Sequence, residues 1–179
     1  MDSTSQRFVI ITGCSGGGKS TLLQALHQRG HRVVKEPGRR LIQSGKANPY
    51  KDLKGFAQAA VAMCIDDMEK EKQSSGWVFF DRGLIDAAAT LAFAGGPPLS
   101  TTLNNTPTFH RRVVFAPPWR AIFRQDQERR HDFGAAKDEA TRLASAYTEL
   151  GYQLADLPKT SVDERVRWVI SQLESDPSD

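Results

Sequence analysis

A glycine-rich motif near the start of the sequence constrains the fold more than any other feature. Residues 13–21 read GCSGGGKST, fit the pattern G-x-x-x-x-G-K-[ST], and follow the apolar run FVIIT at 8–12. In such a loop the glycines let backbone amides turn toward phosphate oxygens, the lysine adds a full positive charge, and the serine hydroxyl can bind Mg²⁺. The alternative is a glycine-rich turn with an exposed lysine. The motif predicts a phosphate-binding loop made of Gly13, Ser15, Gly16, Gly17, Gly18, Lys19, Ser20 and Thr21.

Short β-branched runs recur along the chain and alternate with segments of helical period. After the first, they lie at 32–36 (RVVKE), 77–81 (WVFFD), 112–116 (RVVFA) and 152–155 (YQLA). Continuous apolar strands are typical of parallel sheets that are buried on both faces. The clearest helix is an apolar stripe at steps of three and four, formed by Leu53, Phe56, Ala57, Ala60, Val61, Cys64 and Met68. The sequence therefore predicts an α/β fold, one domain over residues 1–179 with a five-stranded parallel sheet and helices on both faces.

Two of these predicted strands end in a carboxylate, at the edge where parallel sheets bind ligands. Asp81 ends WVFFD, and an acid held there beside the glycine-rich loop would bind Mg²⁺ together with Ser20. Glu36 ends RVVKE before a proline and is either a proton acceptor for a substrate hydroxyl or a surface glutamate. Arg82 follows Asp81 at once, and Asp86 lies where the two would form an ion pair if a helix has begun.

Positive charge is concentrated in one part of a chain whose net charge is only +3. Six arginines and two acidic residues fall within residues 111–130. Because arginine pairs with anions through several donors, this stretch predicts an arginine-rich lid over residues 117–133. Its opening proline pair suits the start of a helix on which Arg120 and Arg124 share one face. The alternatives are a solvated helix face, or neutralisation of Arg124 by Glu128.

Two further segments carry local signals. Residues 95–110 (GGPPLSTTLNNTPTFH) contain no Asp, Glu, Lys or Arg, and cluster Gly, Pro, Thr and Asn. This composition predicts a long loop insertion. Ser161 and Glu164 have the spacing of a capping box and predict the start of the last helix.

Cysteine usage and hydropathy indicate a cytoplasmic protein. Cys14 and Cys64 are fifty residues apart in sequence, which predicts neither a disulfide framework nor a zinc site. The first residues, MDSTSQRF, show neither a basic leader nor an apolar core, and no run approaches the length that crosses a bilayer. We expect no membrane association, and a monomer or a homodimer.

The motifs resemble those of the nucleoside and nucleotide kinase branch of the P-loop NTPases, especially thymidylate kinases and deoxynucleoside kinases. They are also similar to bacterial AAA-domain predicted ATPases of comparable length. GCSGGGKST resembles the phosphate loop, VVKEP the second-strand Glu-Pro, and FFDRG the acid-arginine pair after the third strand. WRAIFRQDQERR is similar to the arginine-bearing lid, and LPKTSVDER to the loop that borders adenine.

The resemblance implies a role for several residues. Glu36 would face the acceptor hydroxyl, Asp81 would serve Mg²⁺, and Arg82 would serve the phosphates. Lys159 would lie in the loop beside the adenine.

Together these features predict ATP- and Mg²⁺-dependent phosphoryl transfer to an unidentified small acceptor that carries a hydroxyl or a phosphate. Lys19, Arg82, Arg120 and Arg124 would neutralise charge, and Glu36 would orient the nucleophile. The alternative is an ATP or GTP hydrolase that acts as a nucleotide-dependent switch. A third hypothesis is a nucleotide-responsive module whose arginines hold RNA or an acidic lipid surface, but their confinement to twenty residues argues against nucleic acid.

Overall fold

The computed structural model describes residues 7–104, 109–123 and 132–175. Its strands are β1 (Phe8–Gly13), β2 (Arg32–Val34), β3 (Val78–Asp81), β4 (Arg112–Ala116) and β5 (Gln153–Asp156). Its helices are α1 (Lys19–Gln28), α2 (Pro37–Gln43), α3 (Leu53–Glu71), α4 (Leu84–Phe93), α5 (Leu99–Thr102), α6 (Phe133–Glu149) and α7 (Val162–Glu174).

The five strands form one parallel sheet in the order β2-β3-β1-β4-β5, with β1 at its centre. Phe8 is in register with Val78 of β3, and Ile11 with Val114 of β4. Every residue of β1 is buried. The predicted five-stranded parallel sheet is confirmed, and its order brings the carboxyl ends of β2, β3, β1 and β4 side by side.

Helices cover both faces of the sheet because side chains along a strand alternate between the two sides. Phe8 and Ile10 point into a cluster that contains residues of α3, α4 and α6, including Met68 and Tyr147. Val9 and Ile11 point into a second cluster with the apolar residues of α1 and α7, including Leu22 and Val169. The predicted covering of both sheet faces is therefore confirmed.

The local helix signals are also confirmed. In α3 the buried positions include four of the predicted stripe: Ala57, Ala60, Cys64 and Met68. At the start of α7, the Glu164 amide donates to Ser161 Oγ (3.3 Å), and the Ser161 amide donates to Glu164 Oε2 (3.2 Å). This is the expected capping box.

Three local predictions differ from the structure. β2 ends at Val34, because Glu36 becomes the N-cap of α2 and Pro37 begins that helix. Residues 95–110 contain the four-residue helix α5, which starts directly after Pro98. A helix starting at the proline pair is wrong for residues 117–123: Trp119 begins a hydrogen-bonded turn, in which its carbonyl accepts from the amides of Ile122 (3.2 Å) and Phe123 (3.1 Å).

Both cysteines are buried, and neither forms a disulfide. In the parts of the chain that the structure describes, no helix combines the length and the apolar character needed to cross a membrane.

Candidate functional site

The glycine-rich loop runs from the end of β1 to the start of α1 in a conformation that only glycine adopts without strain. Gly13, Gly16 and Gly18 have φ angles of 106°, 74° and 83°. A Cβ on Gly13 would lie 2.4 Å from the Ala116 carbonyl oxygen, and one on Gly16 would lie 2.8 Å from the Phe123 ring. The loop therefore packs closely against both β4 and the turn that follows β4.

Lys19 places a buried positive charge beside this loop. Its side chain is 3% exposed, and Nζ donates to the carbonyl oxygens of Cys14 (2.9 Å) and Gly13 (3.3 Å). Gly18 is the N-cap of α1, and among the described residues no side chain caps this helix. The first turn of α1 contains no acidic residue. The amides and the ammonium group together form a site suited to an anion such as a phosphate chain.

The candidate Mg²⁺ ligands are oxygen donors at the ends of neighbouring elements. Asp81 is buried at the end of β3, in register with Ile11 of β1, whereas Ser20 is exposed in the first turn of α1. The described residues include no cluster of three His, Cys, Asp or Glu that could hold a metal alone. Protein sites commonly hold Mg²⁺ with one or two carboxylates plus substrate phosphates, so this donor set fits that ion.

Arg82 is the centre of a charge cluster beside the loop. Its φ of 58° turns the chain sharply after β3. Its guanidinium lies 3.0 Å from Glu139 Oε1, 3.7 Å from Glu36 Oε1 and 3.7 Å from Asp86 Oδ1. Burial alone would lower the pKa of Arg82, but these three carboxylates outweigh burial and raise it. Arg82 is therefore charged at every physiological pH.

Asp86 fixes the start of α4 from within the core. It accepts hydrogen bonds from the Thr12 hydroxyl, from Tyr147 Oη (2.6 Å) and from the Gly83 amide (3.0 Å). Burial raises the pKa of this carboxyl, although Arg82 and the three hydrogen bonds act in the opposite direction. The predicted Arg82–Asp86 pair is present, and the helix begins between them at Leu84.

A cavity of about 180 Å³ opens beside the loop. Ser15 of the loop forms part of its wall, together with the charged side chains of Glu36, Arg39, Arg82, Asp86 and Glu139 and the rings of Tyr50 and Phe56. Glu36 Oε2 lies 3.9 Å from Arg39 Nε. We name this space, with those eight residues, the acceptor cavity.

Some predicted site residues are exposed, and others lie outside the described residues. Lys159 is exposed in the connection between β5 and α7. Arg120 is exposed, with its guanidinium carbon 5.1 Å from the centre of the Phe133 ring. Arg124 and Glu128 lie outside the described residues, as does the middle of the predicted lid. The roles of Lys159, Arg120 and Arg124 stay predictions.

Sequence reasoning missed Glu139 and Tyr147, which α6 brings to the site. The apolar positions of α6 recur at helical spacing, and this period could have placed Tyr147 in the core. Nothing in the sequence indicates that its hydroxyl reaches Asp86, because the two residues are 61 positions apart.

This glycine-rich loop after the central strand, its buried lysine and the acid at the end of β3 define a P-loop NTPase. The resemblance drawn from the motifs is confirmed. The chain belongs to the AAA_28 family, described as an AAA domain, which matches residues 8–165.

Solved structures show the same fold. A deoxyadenosine kinase from M. mycoides, solved with dCMP and dCDP as products, has a TM-score of 0.60 and 16% identity, over 94% of this chain and 100% of that one. The NadR protein in complex with NR has a TM-score of 0.74 and 15% identity, over 95% of this chain and 51% of that one. The chain thus spans about half of NadR.

A shorter match links the chain to a curated protein. The nucleotide-binding protein GOX0815 of Gluconobacter oxydans (strain 621H) is 49% identical over 43 residues, which are 24% of this chain and 13% of that protein. The chain therefore spans only a small part of that relative.

Proposed function

We propose that this protein is an ATP- and Mg²⁺-dependent kinase that transfers the γ-phosphoryl group to a hydroxyl of a small uncharged acceptor. The observation that carries the proposal is the acceptor cavity, whose wall includes both Ser15 of the phosphate loop and Glu36. A hydrolase needs only water at the γ-phosphate, whereas a kinase needs a second binding space with a proton acceptor beside the loop.

The charges of the acceptor cavity favour a neutral acceptor over a phosphorylated one. Arg82 is surrounded by three carboxylates, and Arg39 lies near Glu36. Carboxylates outnumber guanidinium groups in the wall, so a phosphate on the acceptor would meet a net negative surface. The two rings, Tyr50 and Phe56, supply flat apolar contact of the kind that a nucleobase uses.

The volume of the cavity favours a small molecule, because about 180 Å³ is below the roughly 300–1,000 Å³ typical of drug-sized ligands. The similarity to a deoxyadenosine kinase and to NadR in complex with NR supports an acceptor of the nucleoside type. The kinase was solved with dCMP, a nucleoside monophosphate, as one of its products.

In the proposed reaction, the acceptor hydroxyl oxygen forms a bond to the γ-phosphorus while the bond between that phosphorus and the β–γ bridging oxygen breaks. ADP leaves, and Glu36 accepts the hydroxyl proton. Lys19 and Arg82 stabilise the negative charge that spreads over the transferred group. Mg²⁺, held by Ser20 and Asp81 with phosphate oxygens, would neutralise further charge when bound.

Glu36→Gln tests the proposal against the hydrolase alternative. We expect ATP consumption by the wild type to rise strongly when a nucleoside is added to the assay, and to rise little with nucleoside monophosphates. Because a general base contributes about 10²- to 10⁴-fold, Glu36→Gln should lose most of this stimulation while MgATP affinity, measured by calorimetry, stays within about twofold.

Glu149→Gln is the control, because it makes the same chemical change at an exposed position of α6. Substantial ATP hydrolysis that no nucleoside accelerates and that Glu36→Gln leaves unchanged would make the protein a hydrolase. Preference for monophosphates would contradict a neutral acceptor.

A further inference from the structure

Arg165 is the last residue of LPKTSVDER, the segment that resembles the loop bordering adenine, and it lies against the phosphate loop. It belongs to the first turns of α7 and is 4% exposed. Its Nη1 lies 3.2 Å from the Gly18 carbonyl oxygen, and its guanidinium carbon lies 5.6 Å from the centre of the Trp119 ring. A Cβ on Gly18 would lie 2.6 Å from Nη1. The guanidinium therefore borders the end of the loop where α1 begins.

The charge of Arg165 is not balanced within the described residues. Arg82 and Arg165 are the two buried arginines there, and Arg82 has three carboxylates around it. No carboxylate of the described residues pairs with Arg165, and its buried Nε has no hydrogen-bond partner among them. Burial lowers the pKa of Arg165 with no opposing cause. A buried charge of this kind is costly unless an anion completes it.

A structural role for Arg165 in the loop is a weak explanation. The Gly18 carbonyl already accepts hydrogen bonds from Thr21 Oγ1 (2.9 Å) and from the Leu22 amide (3.3 Å). It needs no third donor, so the guanidinium is not required to satisfy the backbone.

We propose that Arg165 is a second cation of the nucleotide site and contacts the α-phosphate. Lys19 Nζ lies at the β1 end of the loop, beside Gly13 and Cys14, whereas Arg165 lies at the α1 end. Loops of this type direct their lysine to the β- and γ-phosphates and hold the α- and β-phosphates along the backbone, so the α1 end is the side of the α-phosphate. The inference rests on nucleotide binding at the loop.

Arg165→Met tests the inference through binding and stability, without any assay of turnover. Because a hydrogen bond to a charged group is strong, calorimetry should show about a tenfold or greater loss of affinity for both MgATP and MgADP. The melting temperature of the nucleotide-free variant should equal or exceed that of the wild type, because an unbalanced buried charge is gone. Arg167→Met, two residues further along α7 and exposed, should match the wild type in both measurements.

The outcomes separate this inference from the proposed function. If Arg165→Met binds MgATP like the wild type, the inference is wrong. If the variant melts well below the wild type or fails to fold, Arg165 has a structural role and the inference is also wrong. Neither outcome affects the proposed function. Arg165→Lys should retain more affinity than Arg165→Met, and equal losses in the two variants would also contradict a charge contact. If the wild type binds no MgATP, the proposed function fails first.

Discussion

The Ala116 carbonyl oxygen leaves no room for a side chain at residue 13. Gly13 combines a φ of 106° with this backbone contact, whereas Gly30, with a φ of 88°, has no described atom within 4 Å of the position that a Cβ would take. A side chain at Gly30 would therefore meet only the cost of a left-handed backbone. A side chain at Gly13 would meet that cost and a steric clash as well. Of the two, only Gly13 lies in the phosphate loop.

Gly30→Ala should lower the free energy of unfolding by about 1–2 kcal/mol, the usual cost of a left-handed residue with a side chain. Gly13→Ala should lower it by clearly more, because β4 must also move away from β1. Urea unfolding of both variants measures the difference. Equal losses would mean that the contact with Ala116 is easily relaxed.

Single functional residues are predictable from the sequence when the residues that act with them are close in the chain. The phosphate loop is one continuous stretch, so its residue types and spacing are visible in the motif. Arg165 is not visible in this way, because α7 brings it to Gly18 from 147 positions away. The helical period of α7 nevertheless indicates that Arg165 is unusual. It shares the apolar face of the helix with Val162, Val166 and Val169, and charged residues are rarely buried without a partner.

Between elements, Asp86 joins α4 to β1 and to α6 through the Thr12 and Tyr147 hydroxyls. Such buried networks are costly when one partner is removed, because the remaining polar atoms cannot reach water. The position of α6 relative to the acceptor cavity, and with it Glu139, depends on this junction.

Tyr147→Phe should destabilise the protein by about 1–3 kcal/mol, because Asp86 loses one of its three hydrogen bonds inside the core. Tyr152→Phe is the control. The two rings are 5.8 Å apart, and within the described residues the Tyr152 hydroxyl accepts only a long bond of 3.4 Å, from the Phe109 amide. Thermal or urea unfolding should show a smaller loss for the control. A loss as large for Tyr152→Phe would contradict a special role for the junction.

The elements themselves are largely predictable from the chain, and their ends are not. Alternation of apolar strands with helical stripes predicted the parallel sheet and α3. The early end of β2 and the start of α5 follow from two prolines, Pro37 and Pro98. The turn at Trp119 instead depends on contacts between distant segments. In that turn, Ile122 and Phe123 lie against Gly18 and Gly16, and a local pattern carries no information about such packing.

For the whole molecule, one ion pair at the sheet edge makes stability depend on pH. Burial would raise the pKa of Glu71, but hydrogen bonds from Arg32 (2.9 Å) and Ser74 (2.6 Å) outweigh burial and lower it. The unfolded carboxyl therefore binds a proton at a higher pH than the folded one. The ion pair of Glu71 therefore stabilises the fold fully at pH values above 4.5, the ordinary pKa of the carboxyl. This stabilisation is lost as the pH falls through the lowered pKa of Glu71.

Glu71→Gln should cost about 1 kcal/mol at pH 7, a modest value because the Arg32 side chain is 63% exposed. The difference from the wild type should disappear below the lowered pKa of Glu71. Unfolding in urea at several pH values measures it, with Glu69→Gln, largely exposed on the same helix, as a control for net charge. A difference that stays constant down to low pH would contradict the ion pair as its cause.

The order of the strands also governs how the protein can form during synthesis. β1 receives its neighbours from β3, which ends at Asp81, and from β4, which ends at Ala116. A nascent chain therefore lacks both neighbours of the apolar strand FVIIT until Asp81 has left the ribosome, and one of them until Ala116 has left it. Because the Cys14 amide donates to the Ala116 carbonyl (2.8 Å), the glycine-rich loop cannot reach its final conformation until β4 has been synthesised.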